Sequence, residues 1–276
     1  LHLRTPMRWI NRRPGPFLAT ALAALPFLVV LIIYMIGSDM RLAVNPQDKL
    51  LPAPSTILST AVRLLTEPDR RSGEILFWLD TAASLQRLAL GVAISSALAL
   101  VMGIMIGMLP YVRAPFAAFV AVFSMVPPLA VLPILFIMLG LGETSKVALI
   151  VIGIAPFLIR DMSQRVFDLP REQLIKAQTL GGSSMAIALR VVVPQVLPRL
   201  IGAVRLSLGP AWLFLIAAEA IASDQGLGYR IFLVRRYLAM DVILTYVVWI
   251  TFLAFLLDLA LRQISKRAFP WDGESL

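Results

Sequence analysis

Long apolar stretches alternate with short polar ones along most of the chain. A bilayer core of about 30 Å needs roughly 20 apolar residues as a helix. The first run that long is "PFLATALAALPFLVVLIIYMIG", residues 16–37. It exceeds the apolar core of a cleaved signal sequence. It also follows Arg4, Arg8, Arg12 and Arg13, so it reads as a retained helix with its N-terminus inside. Further spans are expected at about 81–108, 115–139, 147–160, 200–222 and 240–262. The pattern therefore predicts an all-α polytopic membrane protein, one transmembrane domain over 1–276 with about six membrane helices.

Smaller signals subdivide the pattern. "LPAPSTILSTAVRLL" has the periodicity of a short amphipathic helix, with Ser55 or Thr56 as its cap. In the second span Gly103 and Gly107 form a G-x-x-x-G step, read as close packing within the bundle rather than as a dimer contact. "LPYVRAP" reads as a turn, and "GLGETSK", residues 140–146, as the outer turn before the fourth span. The third span carries Pro127, Pro128 and Pro133, each of which removes a backbone donor. Irregular backbone at membrane depth is tolerated where protein buries it or where it lines a water-filled cavity. That span is not expected to be a rod facing lipid.

Composition agrees with this pattern. Of 276 residues 59% are hydrophobic and 15% charged, with a mean hydropathy of +0.85. There is no cysteine, and the one histidine is His2, which excludes thiolate chemistry and leaves no basis for a histidine metal site. The net charge of +9 fits inside loops facing anionic membrane lipid, not nucleic acid. Arg113, Arg160, Arg165, Arg171, Lys176, Arg190, Arg199, Arg262, Lys266 and Arg267 all fall inside on this topology, with both termini cytoplasmic. Arg230, Arg235 and Arg236 run against the rule.

One inside segment is too polar to span and too apolar to be a free loop: "EQLIKAQTLGGSSMAIALRVVVPQVLPRL", residues 172–200. Leu174, Ala177 and Leu180 recur at helical spacing, and Gly181-Gly182 can end that helix. Ser183 or Ser184 can cap the next one, and Pro194 and Pro198 mark entry into the fifth span. The result is a helix–turn–helix elbow over 172–190.

This elbow resembles the cytoplasmic signature of importer permeases of the ATP-binding-cassette superfamily: Glu-Ala-Ala, three residues, Gly, nine residues, Ile-x-Leu-Pro. Ala177 matches the second alanine and Gly181 the glycine, while Val191, Val193 and Pro194 stand at the closing positions. Ile175 and Lys176 replace the usual Glu and Ala. "VPPLAVLPILFIMLGLGETSK", "LPRLIGAVRLSLGPAWLFLIAAEAIASDQGLGYRI" and the terminal "PWDGE" are similar to the nitrate/sulfonate/taurine-type branch. The resemblance implies two cytoplasmic ATP-binding subunits, a second permease copy as homodimer partner, and a periplasmic or lipid-anchored substrate-binding protein. It also implies the bacterial inner membrane, and a non-catalytic chain whose ATP and Mg are held by its partner. The chain has no P-loop of its own.

The elbow residues Leu174, Ala177, Leu180, Gly181, Gly182, Ser183 and Pro194 are then the expected coupling site. Ser124, Met125, Pro127 and Pro128, with Trp212 and Glu219 seven residues apart on the fifth span, are the expected pathway. An acid inside a span needs a named partner; Arg235, Arg236 or a cationic substrate group are candidates, as is a plain interhelical bond. Arg87 and Arg205 are expected to snorkel, and Asp258 to pair with Arg262 at i, i+4. The expected solute is small and polar, nitrate-, sulfonate- or taurine-like, with a urea- or guanidine-like nitrogen compound as the alternative. A secondary transporter is the competing class, and it leaves the elbow unexplained.

Overall fold

The computed structural model describes residues 14–69 and 72–271, and every regular element among them is helical. His2 and the arginines before residue 14 lie outside these residues. In order come α1 (Pro16–Val44), α2 (Pro54–Thr66), α3 (Leu76–Met108), α4 (Pro110–Phe123), α5 (Pro128–Leu139) and α6 (Glu143–Phe167). They are followed by α7 (Arg171–Thr179), α8 (Ser184–Ile187), α9 (Val193–Ala222), α10 (Leu227–Arg235) and α11 (Met240–Ala268). Five stretches are long and apolar enough to cross a membrane, and α4 with α5, bent by 97°, makes a sixth when counted as one broken span.

Helix ends overrun the apolar runs because hydropathy marks the part in lipid, whereas caps mark where the helix stops. α6 thus begins at Glu143, inside the expected outer turn, and continues through Arg160 and Arg165 to a C-cap at Asp168. The expected turn at "LPYVRAP" is instead helical, because Pro110 takes the first position of α4, where its missing N–H costs nothing. Likewise Pro54 starts α2 with Ala53 as its cap, so Ser55 and Thr56 fall inside the first turn and cap nothing.

The G-x-x-x-G step packs within the chain, as expected. An added Cβ on Gly103 would stand 2.5 Å from Met162 Cβ, and one on Gly107 2.5 Å from Val166 Cβ. A Cβ on Gly91 would stand 2.7 Å from Ile150 Cγ2, so α3 rides on α6 along its length. Leu149, Ile150, Leu158 and Met162 of α6 meet Ala211, Leu215 and Ala218 of α9 in the core. Overpacking of this kind costs about 1–3 kcal/mol. Gly103→Val is therefore expected to lower the detergent melting temperature by several degrees; an unchanged melting temperature with loss of self-association would mean that the step faces another chain.

α2, α10 and the start of α11 share one membrane face, where Thr60 Oγ1 donates to Asp241 Oδ2 at 2.7 Å. The elbow lies on the opposite face, since α9 separates it from α10.

Candidate functional site

Three features stand out: the elbow, the broken span and a buried cluster of charges. The elbow forms where expected. Gly181 has φ +80, the left-handed turn that glycine adopts without a Cβ penalty. The Gly181 N–H then donates to Gln178 O at 2.9 Å and the Gly182 N–H to Ala177 O at 3.0 Å, closing the end of α7. Ser183, not Ser184, caps the next helix, its Oγ accepting from the Ala186 N–H at 3.3 Å. A Cβ on Gly182 would meet Ala177 O at 2.7 Å, so the two arms close against each other only with glycine there.

The elbow residues divide between two faces. Leu174 and Ala177 pack toward the chain's own core, with Ile187 buried beside them. Leu180 is 88% exposed, and Ile175 and Met185 are exposed with it. Pro194 stands in the first turn of α9 and Pro198 just inside it, at the expected entry into the fifth span, but no gap precedes them. Helical structure runs unbroken from Ser184 to Ala222, through a π-helical stretch at Ala188–Val192 that widens the turn just before Pro194. The second arm of the elbow and the fifth span are therefore continuous, while α7 folds back from them at the Gly181 turn. At the base of the elbow the Arg113 guanidinium lies over the Phe167 ring, 3.6 Å from the centroid.

The third span breaks at Ser124–Pro127. Pro127 and Pro128 have no N–H to continue the ladder, and Ser124 Oγ turns back to Ala121 O at 2.7 Å. Met125, at the bend, is 74% exposed. Trp212 and Glu219 do lie on one face of α9, but that face is buried. The Trp212 indole N–H finds no acceptor among the described residues.

Glu219 has no exposed surface, and its partner is neither Arg235 nor Arg236. Arg87 Nη1 donates to its Oε1 at 2.7 Å, and Ser84 Oγ to the same carboxylate at 2.8 Å. The Gly228 N–H donates to Oε2 at 2.8 Å. Arg87 does not snorkel: the rest of its fork grips Glu143, Nε to Oε2 and, at 2.7 Å, Nη2 to Oε1. Lys146 Nζ donates to Glu143 Oε1 at 2.9 Å. Asp80 completes the cluster, accepting from Arg230 Nε and from the Gly226 N–H, both at 2.7 Å. Burial opposes the Arg230 charge, but Asp80 outweighs it and holds the guanidinium above its ordinary pKa. Three cations thus meet three carboxylates.

The cluster caps α10. Three successive N–H groups at its start, those of Gly226, Leu227 and Gly228, go to Asp80, Ser84 and Glu219 from α3 and α9. Carboxylates at a helix N-terminus also favour its dipole. The glycines of "QGLGYR" make room, since a Cβ on Gly226 would stand 2.5 Å from the Glu219 carboxyl carbon and one on Gly228 2.6 Å from Ile216 O. Asp258 pairs with Arg205, at 2.8 and 3.0 Å, rather than with Arg262. The bridge joins α9 to α11, so Arg205 does not snorkel either.

Comparison with known proteins extends this picture. Residues 95–270 match the family described as binding-protein-dependent transport system inner membrane component. The chain is 35% identical over 225 residues to the taurine transport system permease protein TauC of Escherichia coli, covering 81% of each. It is 28% identical over 255 residues to a putative aliphatic sulfonates transport permease protein SsuC of Bacillus subtilis, covering 90% of this chain and 86% of that one. With the nitrate import permease protein NrtB of Synechococcus elongatus it shares 27% over 227 residues, 81% of this chain and 78% of the other. Among solved structures, an inward-facing conformation of the MetNI methionine ABC transporter superposes with a TM-score of 0.56 at 21% identity, over 69% of this chain and 96% of that chain. That likeness concerns the fold.

Proposed function

This chain belongs to the family of binding-protein-dependent transport system inner membrane components, and on that premise we propose that it is the membrane permease subunit of an ATP-driven importer. The observation that carries this reading is the elbow: a helix pair with Leu180 and Ile175 turned outward, whose second arm runs on into the fifth span. Such a lever fits a groove on a cytoplasmic ATP-binding subunit, one per permease copy, which holds ATP and Mg. Leu180, Gly181 and Ser183 form its docking tip, whereas Leu174, Ala177, Gly182 and Pro194 keep it stiff. Nucleotide-driven closure would pass from the tip through the π-helical stretch before Pro194 into α9.

A second copy of the chain covers the broken span in this reading, because irregular backbone at membrane depth needs protein or a water-filled path beside it. Ser124, Met125, Pro127 and Pro128 then line the route at the homodimer interface. In this reading both termini lie in the cytoplasm of a bacterium, and an external binding protein meets the face that carries α10. The solute class we favour is that of the relatives, a small sulfonate, taurine-like zwitterion or nitrate. The unpaired Trp212 N–H is a donor suited to an anionic oxygen. A urea- or guanidine-like solute would have used Glu219 as acceptor, and that carboxylate is already committed to Arg87.

The test is purification of the tagged chain with the ATP-binding subunit encoded beside it, followed by uptake into proteoliposomes. A stoichiometric complex whose taurine or nitrate uptake requires ATP and binding protein is expected. A chain that brings down no such subunit, yet moves solute down an ion gradient, would overturn the reading.

A further inference from the structure

The ends of α3 and α6 do not close against the elbow. A cleft of about 410 Å³ opens between Met108 and Leu109 at the end of α3, Phe167 at the end of α6, and both arms of the elbow. Its polar lining is Arg113, Arg171, Gln178 and Ser184, and no Asp or Glu borders it. Neither Arg113 nor Arg171 makes an ion pair among the described residues; Arg113 rests on the Phe167 ring and Arg171 is exposed.

A second cleft, of about 370 Å³, shares Met108, Leu109 and Ser184 with the first as a common rim. Ser184 is its one polar residue. The rest of its wall is apolar and comes from Leu100 to Leu109 on one side and Met185 to Val193 on the other. Val101, Met185 and Leu189 are exposed, so this groove opens outward and not into the core. It runs back along about 12 Å of helix, Leu100 to Met108, within the apolar run of the second span. The basic cleft begins where that run ends.

The chemistry of the two clefts selects one kind of occupant. Two guanidinium groups beside an amide and a hydroxyl, with no acid among them, are donors for an anion with several oxygens. A soluble anion makes no use of the apolar groove on the same rim. A zwitterionic headgroup brings an amine that finds no carboxylate there. Basic pockets between membrane helices suit anionic headgroups, and an acyl chain fits a groove at the depth of the bilayer. We propose that the paired clefts hold one anionic glycerophospholipid from the leaflet on the elbow's side. Its phosphate and headgroup lie on Arg113 and Arg171, and an acyl chain lies beside Met185 and Leu189. Such a lipid fills the space between the elbow and the ends of α3 and α6. Its consequence for coupling, a stiffer lever when anionic lipid is bound, rests on the importer reading above.

The experiment uses the full chain alone, delipidated in detergent, so the site is tested without an ATP-binding subunit. Dioleoylphosphatidylglycerol is titrated and bound lipid is counted by native mass spectrometry; dioleoylphosphatidylcholine and inorganic phosphate are the other probes. One phosphatidylglycerol per chain is expected to bind at least ten-fold more tightly than phosphatidylcholine, and phosphate should not raise the melting temperature. Arg171→Gln should weaken phosphatidylglycerol about five-fold and leave phosphatidylcholine unchanged. Arg113 is left in place because it also borders the cleft of Arg160 and Asp161. Ala188→Phe adds a ring to the groove and no charge, and should weaken both lipids. Should the added ring impair folding, Arg171→Gln keeps the test valid, since Arg171 has no internal bond to lose. Equal phosphatidylglycerol binding by wild type and Arg171→Gln, or equal binding of the two lipids by wild type, would overturn the site. Protection by phosphate that Arg171→Gln abolishes would assign the basic cleft to a soluble anion and overturn the lipid. A chain dimer that Ala188→Phe breaks, with lipid count unchanged, would give the groove to a second copy and overturn it too. The expected lipid count in a chain that binds no ATP-binding subunit would uphold the site and overturn the importer reading alone.

Discussion

Leu180→Glu is expected to release the ATP-binding subunit from the permease while leaving the permease folded. The side chain is 88% exposed at the tip of the elbow, so the substitution removes no internal packing. Full burial of a leucine against a partner is worth about 2 kcal/mol, and a carboxylate forced into the same apolar groove adds a desolvation cost. Together these correspond to a loss of affinity of roughly 30-fold or more, enough to abolish co-purification and ATP-dependent uptake. Gly182→Ala should reach the same end by another route. Its Cβ would stand 2.7 Å from Ala177 O and 3.2 Å from Ile187 Cγ1, prising α7 from α8 and lowering the melting temperature as well. The pair is informative because only one of them touches the interior. Equal retention of the ATP-binding subunit by wild type and Leu180→Glu would place the docking surface elsewhere.

The difference between these two variants also marks how far the sequence could be read. The Gly-Gly step and the serine after it announce a helix end and a helix start locally, so the elbow was legible at 172–190. Which of its residues face outward was not. Leu174, Ala177 and Leu180 share a periodicity, but Leu180 is the C-cap of α7, just before the left-handed Gly181 redirects the chain. The π-helical stretch before Pro194 was equally hidden, since a proline at the head of an apolar run normally signals a helix start. The broken third span was legible because paired prolines act on their own backbone. The charge cluster was legible only in half. Glu219, inside the fifth span near its end, demanded a partner, but its true partners, Arg87 and Ser84, lie 132 and 135 residues away in sequence. Candidates a few residues along the chain were nearer to hand and wrong, as Arg262 was for Asp258. Spacing constrains i, i+4 pairs; pairs between helices are set by the fold. The motif that offered a clue was "QGLGYR", whose two glycines mark a close approach that no single helix explains.

Glu219→Ala is expected to destabilise the chain by about 3–5 kcal/mol, the usual cost of removing one partner from a buried ion pair. The Ser84 hydroxyl and the Gly228 N–H at the head of α10 lose their acceptor, and Arg87 Nη1 keeps only the Gln225 carbonyl. Arg87→Met should be comparably severe, because it strands Glu219 at zero exposure and also releases Glu143. The double variant Arg87→Met/Glu219→Met should be milder than the sum of the two single changes. Lys146 still neutralises Glu143 and Arg230 still neutralises Asp80, so the charges that remain are balanced. Melting of the four proteins in one detergent gives the coupling directly, and an interaction energy of at least about 1 kcal/mol is expected for residues in such contact. A substrate-binding role for Glu219 makes a different forecast: Glu219→Gln would raise the half-saturating solute concentration in uptake and leave melting unchanged. The buried geometry argues for the reverse, with lower melting and, in the surviving fraction, an ordinary solute dependence. Because the same carboxylate caps α10, its loss should also loosen the turn at Arg235–Leu238, seen as faster amide exchange at residues 226–238 than in wild type.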